Sequence, residues 1–285
     1  MKTRRGLTAV IIAAVLIISA LIAAIVYIIV DMGKEPDDGT EKAGVGTVQD
    51  DLPSEATDDA RLDALLEEAD DIAGKEIRPD GWYGDFESAG RPERVINFTP
   101  YIAKCPDVYA WIEVPGTNID YPIAYCEDAF EPFWFTHDLG GSESEAGMII
   151  TDSLNGNDFS DPMTLIYGQA PDDGTMFAHL HDFRDAAFFD EHDRINIYIG
   201  DVQLVYRIYA CYIASSEHIL ANNDFSDPAG FAGYFDSIKD VRDLALNIRD
   251  DAKPSLGDHV IALITHCGDD SKRLFVIAVL EEIRY

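Results

Sequence analysis

Basic residues are scarce in this chain. Lys and Arg number 21 against 53 Asp and Glu, for a formal net charge of -32 and a pI near 4.2. So acidic a surface repels phosphate backbones, which argues against nucleic acid as a partner. It fits a self-repelling, soluble surface or one that attracts cations. Cysteine is scarce too: Cys105, Cys126, Cys211 and Cys267 are the whole set. None forms a C-x-x-C pair and no Cys/His cluster has zinc-ligand spacing, so neither a structural metal nor another cofactor is expected. Internal repeats are lacking. What the chain does have is core-forming material. Hydrophobic residues are 47% and aromatics 11% of its 285 residues, which excludes wholesale disorder and allows one large or two small domains.

There is one long apolar run. Residues 7–30 carry no charge over 24 positions. About 20 apolar residues span a bilayer as a helix, whereas the apolar core of a cleaved signal peptide is about 7–15 long. No small-residue cleavage site follows. The reading is an uncleaved transmembrane signal anchor; a cleaved signal peptide is the alternative. Lys2, Arg4 and Arg5 precede it and Asp31, Glu35, Asp37 and Asp38 follow. By the positive-inside rule, residues 1–6 are a cytoplasmic tail and the remainder is extracellular, in a single-pass membrane protein. Residues 31–75 hold 15 acidic and 4 basic side chains. Within them, 31–56 read as a flexible acidic tether and 57–285 as the folded domain. Leu62, Leu65, Leu66, Ala69, Ile72 and Ala73 fall on one face of an amphipathic helix.

Beyond residue 95 the pattern turns to short runs rich in Ile, Val, Tyr and Phe. Strands are expected at 109–114, 119–125, 147–151, 163–167, 194–199, 202–214, 259–265 and 272–280. Gly200-Asp201 is a hairpin turn signal. Residues 228–250 interrupt the series with helical spacing. Eight strands with a few helices imply a mainly antiparallel barrel with helical additions.

Two segments carry candidate chemistry. Cys267 ends a strand, Gly268-Asp269-Asp270-Ser271 reads as a turn, and Arg273 opens the next strand. A guanidinium across a short loop would favour the thiolate and stabilise a developing oxyanion. Read alone, a single Cys is more often an inert buried residue. The second segment, Leu165 to Ala178, runs from a strand into Tyr167-Gly168-Gln169, a Gly-containing turn and an apolar helix start. Asp120 and Asp152 read as turn or strand-end residues, and Asp269-Asp270 as exposed loop carboxylates. Cys105, Cys126 and Cys211 read as buried thiols, with one disulfide among them left open.

Taken together, the motifs resemble the sortase family, most of all class B, over about residues 60–285. The pieces come in the family's order. Trp111-Ile112-Glu113-Val114-Pro115-Gly116-Thr117-Asn118-Ile119-Asp120-Tyr121-Pro122-Ile123 is similar to W-I-x-I-x-G-T-x-I-D-Y-P-V. Thr136-His137-Asp138-Leu139 and Gly147-Met148-Ile149-Ile150-Thr151-Asp152 follow, the latter similar to G-x-I-F-x-D. Ile166-Tyr167-Gly168 with Asp173-Gly174-Thr175-Met176-Phe177 is similar to I-Y-G-H-x-x-x-D-G-T-M-F. Leu263-Ile264-Thr265-His266-Cys267 and Arg273-Leu274-Phe275-Val276 are similar to L-x-T-C and R-L/F-V-V. The resemblance implies an eight-stranded barrel with an N-terminal helix and a helix before the Cys-bearing strand. It also implies a Gram-positive, membrane-anchored cysteine transpeptidase. Such an enzyme cuts a C-terminal sorting signal of a secreted protein and joins the new carboxyl to an amine of the cell-wall precursor or a pilin. Cys267 would be the nucleophile and Arg273 the substrate and oxyanion residue.

The sequence departs from the family at two positions. The catalytic His after Tyr-Gly is Gln169, which can hydrogen-bond but cannot transfer a proton near neutral pH. The residue before the nucleophile, Thr in the family, is His266. Successive strand side chains face opposite ways, so His266 is a substitute acid or base only if the strand has ended before it. His137 sits in a loop bordering the expected cleft, and His179 and His181 read as surface or core-edge residues. His192, His218 and His259 show no constellation. The alternatives to an active enzyme are a catalytically impaired peptide-binding module of the same fold and a structural surface protein.

Overall fold

The computed structural model describes residues 81–125 and 133–285, all within the unit Asp70–Tyr285. The expected anchor at 7–30, the tether and the helix over 62–73 lie outside the described residues, as does Cys126. Among the described residues no helix is long and apolar enough to cross a membrane.

Among the described residues nine strands form in chain order: β1 (Val108–Glu113), β2 (Asp120–Tyr125), β3 (Ile149–Thr151), β4 (Met163–Tyr167), β5 (Arg194–Ile199), β6 (Val202–Ser215), β7 (Asn247–Ile248), β8 (Val260–His266) and β9 (Lys272–Arg284). They hydrogen-bond in the order β5-β1-β2-β3-β4-β8-β9-β6-β7, and β5 also pairs with β6. That extra pairing closes eight strands into a barrel and leaves β7 as an appendage of β6. The eight expected strands are those eight; 163–167 and 194–199 match to the residue and the other six have shifted ends. Six of the closing ladders are antiparallel, while β2–β3 and β4–β8 are parallel. The β5–β6 hairpin turns at Gly200, whose φ is 54° while Asp201 is not among the positive-φ residues, as a II′ turn requires.

Strand β8 is buried along its length up to His266, because both its faces are covered. Ile261 and Leu263 point into the barrel core with Ile112, Ile166, Leu204 and Val276. Val260, Ala262 and Ile264 face a second core built with Phe231, Phe235 and Ile238. A strand buried on both faces reads as a continuous apolar run rather than an alternating one. Among the described residues four short α-helices accompany the sheet: α1 (Thr99–Ile102), α2 (Ala186–Glu191), α3 (Ile219–Asn222) and α4 (Pro228–Ser237). Helix α4 supplies Phe231 and Phe235, and starts where the Asp227 carboxylate accepts the Gly230 N–H just before Pro228.

The helix expected over 228–250 ends early. It passes through a 3-10 turn at Ile238–Asp240 and stops. Two tertiary demands outweigh the local periodicity. Asp243 accepts the Ile213 N–H at 2.7 Å and both guanidinium nitrogens of Arg184 at 2.8 and 3.1 Å. Further on, Asn247 and Ile248 pair with Cys211 and Ala210 of β6. Burial pushes the Asp243 carboxyl up, but the hydrogen bonds from Arg184, Ala245 and Ile213 outweigh it and hold the group below the usual carboxylate range. Its contribution to stability is therefore complete above the unfolded value of about 3.9 and fades as pH falls through the lower folded value. Asp243→Ala is expected to lower unfolding stability by roughly 1.5–3 kcal/mol at neutral pH. In urea titrations that gap from the unaltered protein should narrow in strong acid.

Candidate functional site

Strands β4 and β8 run parallel, with Tyr167 opposite Ile264. Two hydrogen bonds carry the pairing past the last strand residue: Gly168 N–H donates to the Ile264 carbonyl at 3.2 Å, and Thr265 Oγ1 donates to the Gly168 carbonyl at 2.7 Å. Gly168 has no room for a side chain, since a Cβ there would lie 2.6 Å from the Phe177 ring. Gln169 and the β8 terminus therefore emerge at one edge of the sheet. The turn closing on Phe177, whose N–H donates to the Gln169 carbonyl at 2.8 Å, brings in a 3-10 segment, Ala178–Arg184, that buries Leu180 and Phe183.

Cys267 follows β8 directly. It is half-buried and packs against the barrel core, on the same side as Ile261 and Leu263. The turn after it is tight: Gly268 has φ 84°, and the Asp269 carboxylate accepts both the N–H and the hydroxyl of Ser271. Arg273 returns directly opposite His266. Its guanidinium lies back over the turn, donating to the carbonyls of Asp270 at 3.2 Å and Lys272 at 2.7 Å. Gln169 and His266 line one cavity of about 470 Å³ together with Glu145, Ala170, Pro171, Asp172 and Asp173. Gln169 Nε2 makes one long contact, 3.5 Å to the Phe135 carbonyl.

The His266 ring is occupied. Its Nδ1 accepts the Gly268 N–H at 3.1 Å and its Nε2 faces Asp270 Oδ1 at 3.2 Å. It is exposed, on the side away from Cys267's core neighbours. The other six His residues are all described. His137 stacks on Phe133 with its Nδ1 on the Phe133 carbonyl. His179 pairs with Asp182, and His218 pairs with Asp152. His192 lies against Phe188, and His259 against Trp82. His181, from the 3-10 segment, places Nε2 3.0 Å from the backbone carbonyl of His266, the peptide oxygen immediately before Cys267. Sequence reasoning read His181 as a surface or core-edge residue. No periodic pattern marks it, and the contact spans 85 positions.

Two further thiols are inert by position. Burial pushes Cys105 up, and it pushes Cys211 up to about 12. Both are free and fully buried, in separate clusters. Asp152 is more than a strand-end residue, accepting from the Tyr167 hydroxyl at 3.1 Å as well as meeting His218 Nε2 at 2.7 Å. Asp120 accepts from Trp111 Nε1 and Arg94. Among the described residues no group of three or more His, Cys, Asp or Glu is placed to share a metal ion.

No family model matches the chain. It is 28% identical over 159 residues to sortase B of Listeria monocytogenes, a stretch covering 56% of this chain and 62% of that protein. A solved class B sortase of Streptococcus pyogenes, involved in pilus biogenesis, superposes with a TM-score of 0.54 at 26% identity, over 65% of this chain and 98% of the other. The chain is thus similar to class B sortases. A mutant form of Clostridium perfringens sortase B gives a TM-score of 0.57 at 24% identity, covering 65% of this chain and 86% of that one. A Staphylococcus aureus sortase B–substrate complex gives 0.56 at 20% identity, covering 80% and 97%. The last two show the shared sortase fold. The chain spans about three-fifths of the length of the curated relative it matches.

In this sortase-like barrel the exposure of the thiols orders their reactivity. In the native protein iodoacetamide should alkylate Cys267 well before Cys105 and Cys211, which should label only on unfolding. Peptide mapping by mass spectrometry checks this, and native labelling of Cys211 ahead of Cys267 would contradict it.

Proposed function

We propose that the chain is a sortase-type cysteine transpeptidase that acts on secreted proteins bearing a C-terminal sorting signal. The observation that carries the reading is Cys267, half-buried at the open end of β8, six residues before an Arg that the turn returns to the same sheet edge. The Cys267 thiolate attacks the scissile carbonyl, and the Arg273 guanidinium takes up charge developing on the oxygen. The C–N bond breaks with protonation of the leaving amine, and a thioacyl enzyme remains. An amine of a cell-wall precursor or a pilin then attacks the thioester, and the thiolate departs. Support for the substrate class comes from the class B sortase likeness, which includes a relative in pilus biogenesis and a substrate complex. We place the protein in the cell membrane through residues 7–30, with the catalytic domain outside. That reading rests on the uncharged run and its flanking charges.

Gln169 favours a second reading, a peptide-binding module of the same fold that has lost its proton carrier. Loss of a general acid–base group typically costs about 10²–10⁴-fold in rate.

The test uses the full chain in detergent and a pentapeptide library with randomised residues before a C-terminal amide-linked reporter. Transpeptidase chemistry should leave acyl masses on Cys267 that vanish in Cys267→Ala. In Arg273→Ala acylation should fall by about 10²–10³-fold, the usual cost of removing an oxyanion donor. Peptide retention without any acyl adduct would favour the binding module.

A further inference from the structure

The reaction needs a group that takes a proton from the thiol and returns it to the leaving amine, and Gln169 cannot be that group. We propose that His181 is the proton-transfer residue of this site. Three observations carry this. Its Nε2 lies 3.0 Å from the His266 carbonyl, one peptide unit before Cys267, so an imidazole stands beside the nucleophile's backbone. A carbonyl oxygen only accepts, so Nε2 carries the hydrogen. In the neutral ring Nδ1 is then the basic nitrogen, and it has no described partner. The alternatives are engaged elsewhere: His266 has both ring nitrogens bound within its own turn, and His137, His179, His192, His218 and His259 are held by Phe133, Asp182, Phe188, Asp152 and Trp82.

The placement follows from the fold. The 3-10 segment is anchored by Leu180 and Phe183 in the barrel core, by Asn247 Nδ2 donating to the Phe183 carbonyl and by the Arg184–Asp243 pair. With its neighbours buried, His181 is held half-exposed at the rim where β8 ends. His181 thus reaches the end of β8 from the 3-10 segment, whereas Gln169 leaves the end of β4.

In acylation, the Cys267 S–H proton passes to His181 Nδ1 and the sulfur electron pair forms the S–C bond. As the C–N bond breaks, its electron pair takes the Nδ1 proton and leaves as a neutral amine. In the second half the incoming amine, in its neutral form, forms the new amide bond and gives one proton to Nδ1, and sulfur leaves with the S–C pair. The sulfur recovers its proton from the imidazolium, and no other reactant is needed. These acyl steps rest on the transpeptidase reading; the pairing of His181 with Cys267 does not.

The test reads the pairing without a substrate. Iodoacetamide alkylation of Cys267 is followed by peptide mapping on the full chain across about pH 5 to 8, where an imidazole changes charge. The unaltered protein is compared with His181→Ala and His181→Gln. The titratable and charged groups on the elements that meet here are His179, Asp182 and Arg184 with Asp243, then His266, Asp269, Asp270, Lys272 and Arg273, and Glu145, Asp172 and Asp173 around the adjoining cavity. All of these stay in both variants. The Gln variant keeps a donor for the His266 carbonyl, so it retains the positioning contact and removes only the proton exchange. The unaltered profile should carry an imidazole inflection that both variants lack. With the peptide library, both should lose about 10²–10⁴-fold in kcat with KM little changed. Superimposable alkylation profiles, or full activity in His181→Gln, would overturn the inference. If the profile shifts but no peptide acylates even the unaltered protein, the transpeptidase reading falls and the pairing stands. If acylation occurs with profiles that coincide, the reverse holds.

Discussion

The parallel pairing of β4 with β8 is the constraint on which the site depends. Parallel strands deliver their C-terminal ends to the same edge, so the residue after Tyr167-Gly168 and the residue after His266 must emerge side by side. The Thr265 hydroxyl, donating to the Gly168 carbonyl from a fully buried position, locks that edge. Antiparallel β9 then returns Arg273 to the same edge within six residues. Gln169, Cys267 and Arg273 are far apart or awkwardly spaced in sequence, and strand polarity alone unites them. Parallel pairs need crossover connections. Here the crossover from β4 to β8 holds the 3-10 segment with His181, strands β5 to β7 and helix α4, so the same constraint sets what surrounds the thiol.

Burial separates the three described thiols by chemistry. Cys211 points into the barrel and Cys105 into a satellite cluster, and desolvation disfavours the charged thiolate in both. Cys267 shares the barrel core with only part of its surface. It sits where strand order ends and a turn rich in Asp begins. The acidic residues Asp172, Asp173 and Glu145 rim the adjoining cavity, in keeping with a chain whose charge is overwhelmingly negative. The turn itself is held by short local bonds, Ser271 to Asp269 and Gly268 to His266, so Arg273 is presented from a tightly held loop.

Much of the barrel was legible in the sequence. Runs such as 194–199 and 202–214 are dense in β-branched and aromatic residues and are bounded by Gly-Asp, so their strands and hairpin follow from local chemistry. Cys267 and Arg273 were legible as the ends of two such runs. Strand polarity was not, because nothing local distinguishes a parallel edge from an antiparallel one. The end of the helix before β8 was hidden for a related reason. Residues 241–248 keep helical spacing, but Asp243 and Ile248 have partners on other elements, and those win over propensity. The placement of His181 was hidden because a 3-10 segment lacks the 3.6-residue rhythm. Its partner, the His266 carbonyl, is backbone, and backbone groups leave no mark in sequence. The alternation argument for His266 was sound in kind. Its ring lies on the exposed side, engaged with the turn.

The measurement that tests the account most directly is acyl transfer to a small amine. The full chain is incubated with the pentapeptide library and hydroxylamine, and hydroxamate products are followed by mass spectrometry over many turnovers. The account predicts hydroxamates from the unaltered protein and none from Cys267→Ala. Hydroxamate formation that survives in Cys267→Ala, or its absence from the unaltered protein at every pH tried, would contradict it.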